Sequence, residues 1–276
     1  MHRFAVLCAL CLSCFASPVV QQEALQRAPP SKLSTLAYAL DLSVQATPSD
    51  MSCFQRSLYN VVFVRGYTPV GAGTVDPFTI LNIRNANSAG IGTEVYMTPQ
   101  PSSPKTGAQQ FDEMYNNLKN SNINVQTVWI QVTSPINWSS VSTTNINFLN
   151  SILARASQYG LTVGIYTSYY DWSQITGGAV ITNAMLWYWN VYGVGPYDES
   201  PADFSDFRAF GGWLSAAVKQ FGQNENVCGV NVNRNVYLTS SAMAGMTKTE
   251  KSDEVVVGAL LRETAALFTG APKIIA

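Results

Sequence analysis

The 276-residue chain contains a single histidine, His2, at its extreme N-terminus. Without an imidazole in its body it cannot run a Ser-His-Asp or Cys-His mechanism, and it offers no histidine to a zinc site. If the chain is an enzyme, carboxylates must move the protons. Two of them stand out. Asp41 is near the end of Leu36 to Ser43 (LAYALDLS), a run apolar on both faces, as a fully buried parallel strand should be. Glu94 lies in Gly92 to Thr98 (GTEVYMT), on the side it shares with Tyr96 and Thr98. If these are the first and third strands of one sheet, their backbones stand about 10 Å apart at ~4.8 Å per step. Inward-pointing carboxyls would then fall within the ~5–9 Å that retaining or inverting glycoside hydrolysis requires. Asp41 and Glu94 are therefore the expected catalytic pair, with Glu94 as the acid. The competing reading makes Glu94 the salt-bridge partner of Arg65, which also stands at a strand end.

Other polar and aromatic residues fall at strand ends beside this pair. In Val128 to Pro135 (VWIQVTSP), Gln131 and Thr133 are two apart and share a face. An amide and a hydroxyl can hydrogen-bond a sugar, but neither donates a proton usefully. Tyr96, Tyr166, Trp187 and Trp189 offer flat rings with polar edges at strand ends. Ordinary core packing is the alternative, and Trp187 and Trp189, on one face, should behave alike. Asn231, Asn233 and Asn235 share a face of VNVNRNVY and can bind hydroxyls or satisfy backbone groups. Asp171 and Trp172 either line the groove or, for Asp171, cap an exposed helix. Asn137-Trp138-Ser139 is an N-glycosylation sequon directly after the Gln131 strand.

The elements that must position these residues alternate along the chain. Helices are expected over about Pro48 to Tyr59, from an Asp76 N-cap with Pro77 first and Gly90 just beyond the end, over Ala108 to Lys119, and over Thr144 to Tyr159. Strands fall between them at Val61 to Tyr67 and Leu161 to Thr167. The rhythm then changes to strands at Leu186 to Val191, Ala217 to Phe221 and Val230 to Tyr237. This is an α/β pattern, an irregular TIM-like barrel of five βα units followed by three strands, with its site at the C-terminal strand ends.

Composition agrees with a protein outside the cytosol. Net charge is −1, the sixteen basic residues are scattered, and no basic block exists to engage nucleic acid. Met1-His2-Arg3, an apolar run to Phe15 and Ala16-Ser17-Pro18 read as a signal peptide over 1–17, too short to span a bilayer. A linker (18–35) precedes the barrel domain (36–237). Removal of the signal leaves Cys53 and Cys228, which in an oxidising compartment read as one disulfide; two buried free thiols are the alternative. The tail, 238–276, offers an amphipathic helix over Asp253 to Phe268.

Taken together, AYALDLS, FVRGY, GTEVYMTPQP, VWIQVTSPINW, GLTVGIYTSYYDW, LWYWNV and CGVNVNRNVY resemble glycoside hydrolase family 25 lysozymes, in their nematode and amoeba branch, from about Tyr38 to Tyr237. The resemblance implies a disulfide between the two retained cysteines. It also implies a first-strand acid at Asp41, and it lays the family's fourth-strand Asp-x-Glu on Gln131 and Thr133 and its last-strand Asp on Asn233. The implied function is hydrolysis of the linkage between N-acetylmuramic acid and N-acetylglucosamine in peptidoglycan, in antibacterial defence or digestion. A silent glycan-binding barrel is the alternative, because the acid pair is replaced. Arg65, Tyr96, Gln131, Thr133, Tyr166, Trp187, Trp189 and Asn233 are the expected substrate contacts. The implied partner is bacterial cell-wall glycan, met by a secreted or vesicle-stored monomer with no membrane span, cofactor or metal.

Overall fold

The computed structural model describes residues 36–239, 255–259, 267–268 and 270–276. The signal and linker readings fall outside these residues. Barrel strands are β1 (Leu36–Leu42), β2 (Tyr59–Thr68), β3 (Gly92–Met97), β4 (Thr127–Gln131), β5 (Thr162–Thr167), β6 (Met185–Trp189), β7 (Val218–Val227) and β8 (Val230–Leu238). They lie side by side in chain order, and β8 returns to β1 to close the ring. β1 to β7 run parallel, whereas β8 is antiparallel to both neighbours. Helices α1 (Pro48–Arg56), α2 (Thr79–Ser88), α3 (Gly107–Asn120), α4 (Ser142–Gln158) and α5 (Tyr169–Thr176) follow β1 to β5 in turn. The fold is the expected one, five βα units and then three strands.

Local chemistry explains most boundaries. α1 and α3 each begin with a capping box, Thr47 with Asp50 and Thr106 with Gln109, in which side chain and backbone satisfy each other's free N–H groups. The second helix corrects one expectation. Asp76 Oδ1 accepts from Phe78 N, and its Oδ2 binds Arg65 Nε at 2.7 Å, so Asp76 caps a turn and the helix starts only at Thr79.

Each strand is buried on both faces. Outward residues meet the helices; inward residues form a separate cluster that includes Phe63, Tyr96, Trp129, Tyr166, Met185, Trp187 and Tyr237. Gly164 on β5 makes room for this filling, since a β-carbon there would overlap the Trp129 ring. Cys53 on α1 and Cys228 in the β7–β8 turn form a disulfide with their Cα atoms 6.0 Å apart.

The described part of the tail corrects the helix expected over Asp253 to Phe268. Val255–Val257 is a strand beside Ile123–Val125, and Lys273–Ile275 pairs with Val180–Thr182. Three β-branched residues in a row suit a strand, and pairing with a distant edge overrides the weak helical period. The middle of that expected helix lies outside the described residues.

Candidate active site

Asp41 is the sixth residue of β1 and only 3% exposed. Its Oδ1 accepts from Gln220 Nε2 and Asn235 Nδ2, both at 2.8 Å, and its Oδ2 accepts from Asn233 Nδ2 at 2.7 Å. Aromatic donors decide which way two of these amides face. Tyr166 Oη donates to Gln220 Oε1 and Trp187 Nε1 to Asn235 Oδ1, both at 2.9 Å, leaving each amide nitrogen to point at the carboxylate. Burial pushes the Asp41 carboxyl up from its ordinary value, and the amides of Asn235, Asn233 and Gln220 oppose that rise without cancelling it.

A second buried carboxylate is held from β6. Asp171, in the first turn of α5, is also 3% exposed, and its Oδ2 accepts from Trp189 Nε1 at 2.8 Å. Burial raises its pKa, opposed by hydrogen bonds from Trp189, Ser168 and the Ser134 backbone. The charges of Asp41 and Asp171 both add to the burial that holds the Tyr166 hydroxyl well above its usual pKa. Trp189 and Gln220, which hold the two acids, are register partners on β6 and β7. The exposed helix cap expected at position 171 is therefore corrected: Ser168 caps α5, and Asp171 is buried.

Glu94 stands on the inner face, where strand alternation puts it, in register with Phe63, which is in register with Asp41. Its Oε2 accepts from Trp129 Nε1 at 2.9 Å, and its charge acts on the Tyr237 hydroxyl. Tyr237 pairs with Ala37, four residues below Asp41 on β1. Glu94 thus lies two strands from Asp41 in the same register row, with Phe63 on the strand between them. The alternative Arg65 partnership is not formed, because Arg65 binds Asp76 and donates to the Ser43 carbonyl.

The other expected contacts divide into two groups. Trp187 has no exposed surface; Tyr166 stacks on it with centroids 4.1 Å apart, and Tyr96 meets it edge-on. The two tryptophans therefore part company, as Trp187 fills the interior while half-buried Trp189 reaches Asp171. Buried Tyr96 donates a long bond, 3.4 Å, to the Leu42 carbonyl. Asn233 is in the Asp41 cage. Gln131 and Thr133 stand across the mouth: Gln131 Oε1 accepts from Thr98 Oγ1 at 2.6 Å, and its Nε2 donates to Thr133 Oγ1 at 3.0 Å. They line an open cleft of about 500 Å³ with Gln100, Ile136, Asn137 and Trp138. Gln220 went unrecognised in the sequence, although it alternates with Val218 on β7, which placed it on the inner face.

Likeness to known proteins follows this geometry. The muramidase from Trichobolus zukalii superimposes with a TM-score of 0.56 at 17% identity, over 75% of this chain and 96% of its own. A Dictyostelium discoideum protein described as probable glycoside hydrolase family 25 lysozyme 2 is 34% identical over 208 residues, covering 75% of this chain and 93% of the relative. The fold class is thus the TIM-like barrel of the family 25 lysozymes. More narrowly, the model of a family described as Lysozyme-like protein 1 matches residues 32–221. The Caenorhabditis elegans lysozyme-like protein 1 is 54% identical over 217 residues, covering 78% of this chain and 73% of the relative. The chain belongs to the lysozyme-like protein 1 family.

Proposed function

We propose that this protein acts on the glycan of bacterial peptidoglycan, hydrolysing the linkage between N-acetylmuramic acid and N-acetylglucosamine. Asp41 is its central carboxylate, and it works after secretion or within a secretory vesicle, in defence or digestion. The observation that carries the reading is the amide-caged, buried Asp41 at the C-terminal end of a lysozyme-like barrel. A buried carboxyl of raised pKa has the character of a glycosidase acid. Hydrolysis needs a second carboxyl, and Asp171 fits better than Glu94. It is buried and accepts from Trp189, the register partner of the Gln220 that holds Asp41, whereas Glu94 accepts from Trp129 on the far side of Phe63.

A second reading, glycan binding without cleavage, is favoured by one observation. Where the family resemblance lays two acids, Gln131 and Thr133 hydrogen-bond each other and Thr98, an arrangement that can hold sugar hydroxyls but supplies no proton. Incubation of the mature protein with peptidoglycan separates the readings by new reducing ends and by co-sedimentation, with Asp41→Asn, Asp171→Asn and Glu94→Gln in parallel. Release lost in Asp41→Asn and Asp171→Asn but kept in Glu94→Gln supports the first reading. Release lost in Glu94→Gln and kept in Asp171→Asn returns the acid role to Glu94. Binding with no release by the wild type establishes the second reading, and neither binding nor release refutes both.

A further inference from the structure

The cleft beside Gln131 and Thr133 has a chemically unusual wall. Asn137 ends the short 3-10 turn Pro135–Asn137 and is exposed. Its N–H bonds the Ser134 carbonyl at 2.9 Å, and the next residue, Trp138, donates Nε1 to the Thr133 carbonyl at 3.0 Å. The Asn137 side chain is therefore rooted one turn from Thr133, on the rim of the same cleft. Asn137-Trp138-Ser139 is also the one Asn-x-Ser/Thr sequence in the chain. A glycan joined there enters no packed interior.

We propose that Asn137 carries an N-linked glycan whose first two sugars lie across this cleft and act as a tethered competitor for glycan entering it. This rests on the reading of the cleft as a site for amino-sugar polymers. In the transfer, Asn137 Nδ2 loses one proton and bonds to C1 of the first N-acetylglucosamine of a lipid-linked oligosaccharide. The C1–O bond to the lipid pyrophosphate breaks, and the pyrophosphate leaves with the electron pair. The two sugars next to the asparagine are β-1,4-linked N-acetylglucosamines. That is the linkage and the N-acetyl decoration of a peptidoglycan strand, so a cleft suited to one suits the other. Gln131, Thr133 and Thr98 supply hydrogen bonds, and Trp138 an apolar face. A ligand tethered this closely has an effective concentration in the millimolar range, so that with a tenth-millimolar affinity of its own it weakens any free competitor about ten-fold.

The full chain secreted from an N-glycosylating insect-cell host tests this, alongside Ser139→Ala and Asn137→Gln, which each destroy the acceptor sequence. Peptide mass spectrometry reads occupancy of Asn137, and titration with chitotetraose reads the cleft. The expected result is an occupied Asn137 and, in both variants, binding about ten-fold tighter than in the wild type. An unmodified Asn137 overturns the proposal, and so does an occupied Asn137 with affinities equal in all three proteins. If no form binds chitotetraose, the amino-sugar reading of the cleft fails, and hydroxyl-radical labelling decides whether the glycan covers it. Lower oxidation of Trp138 in glycosylated than in enzymatically deglycosylated protein supports the cover, and equal oxidation rejects it.

Discussion

The two sides of the barrel mouth solve opposite problems. On the β1, β7 and β8 side a charge is withdrawn from water and its oxygens are taken by amides whose own orientation is set by Tyr166 and Trp187. On the β3 and β4 side the groups are neutral and half-buried, and they line open space. The sealed side is rigid because every member of the network has a defined donor or acceptor. The open side keeps hydroxyl and amide groups where a ligand can reach them. Charge and access, which a glycosidase combines at one place, are divided here between opposite sides of the mouth.

The comparison breaks most visibly if charge is put back on the open side. Gln131→Asp combined with Thr133→Glu is expected to raise reducing-end release from peptidoglycan by about 10²–10⁴-fold, the usual scale of a positioned acid or base. An unchanged rate means that those positions no longer face the scissile bond. On the sealed side, Asp41→Ala strands buried amide donors, and urea unfolding should show a loss of about 2–4 kcal/mol.

Acidity supplies a related check. Because the folded-state pKa of Asp41 is raised, the folded protein binds the proton more tightly than the unfolded chain. Its contribution to stability is therefore greatest in acid and is lost as pH rises from the ordinary aspartate value through the raised one. The stability of the wild type relative to Asp41→Asn should fall as pH rises through that window in unfolding curves taken at successive pH values; a relative stability that rises contradicts the buried, raised carboxyl.

Smaller effects sharpen the contrast. Tyr166→Phe removes one of the two donors to Gln220 Oε1, the other being Gln223 Nε2, with an expected cost of about 1 kcal/mol in the same unfolding experiment. Thr133→Val, on the open side, should change stability by less than about 0.5 kcal/mol while weakening glycan co-sedimentation. A larger stability loss at Thr133 than at Tyr166 would erase the distinction between the two sides.

How much of this was legible in the sequence follows from the range of the interactions. Runs such as LAYALDLS and LTVGIYT declare buried strands locally, and the order of five βα units before three strands is visible from them. Alternation also put Glu94 on the inner face, but alternation says nothing of depth, and its hydrogen bond to Trp129 depends on how neighbouring strands are staggered. The same limit applies to Trp187 and Trp189, which share a face at different heights. Asp76 looked like a helix cap because Pro77 follows it, and its bond to Arg65, which joins two segments, leaves no local trace. Val255–Val257 became a strand because the edge at Ile123–Val125 was there to receive it. The Asp41 cage draws amides from β7 and β8, nearly two hundred residues away along the chain, so nothing near Asp41 announces it.

The disulfide between α1 and the β7–β8 turn has a consequence for endurance. Barrel closure joins β8 to β1, and the covalent bond from Cys228 to Cys53 ties the last hairpin to the first βα unit at that seam. Their separation of 175 residues puts most of the barrel inside one covalent ring. A protease that cuts one exposed loop within the ring leaves two segments joined by the disulfide and releases no fragment, so the strands stay tethered to re-pair. A molecule built this way stays in one piece after its first proteolytic cut.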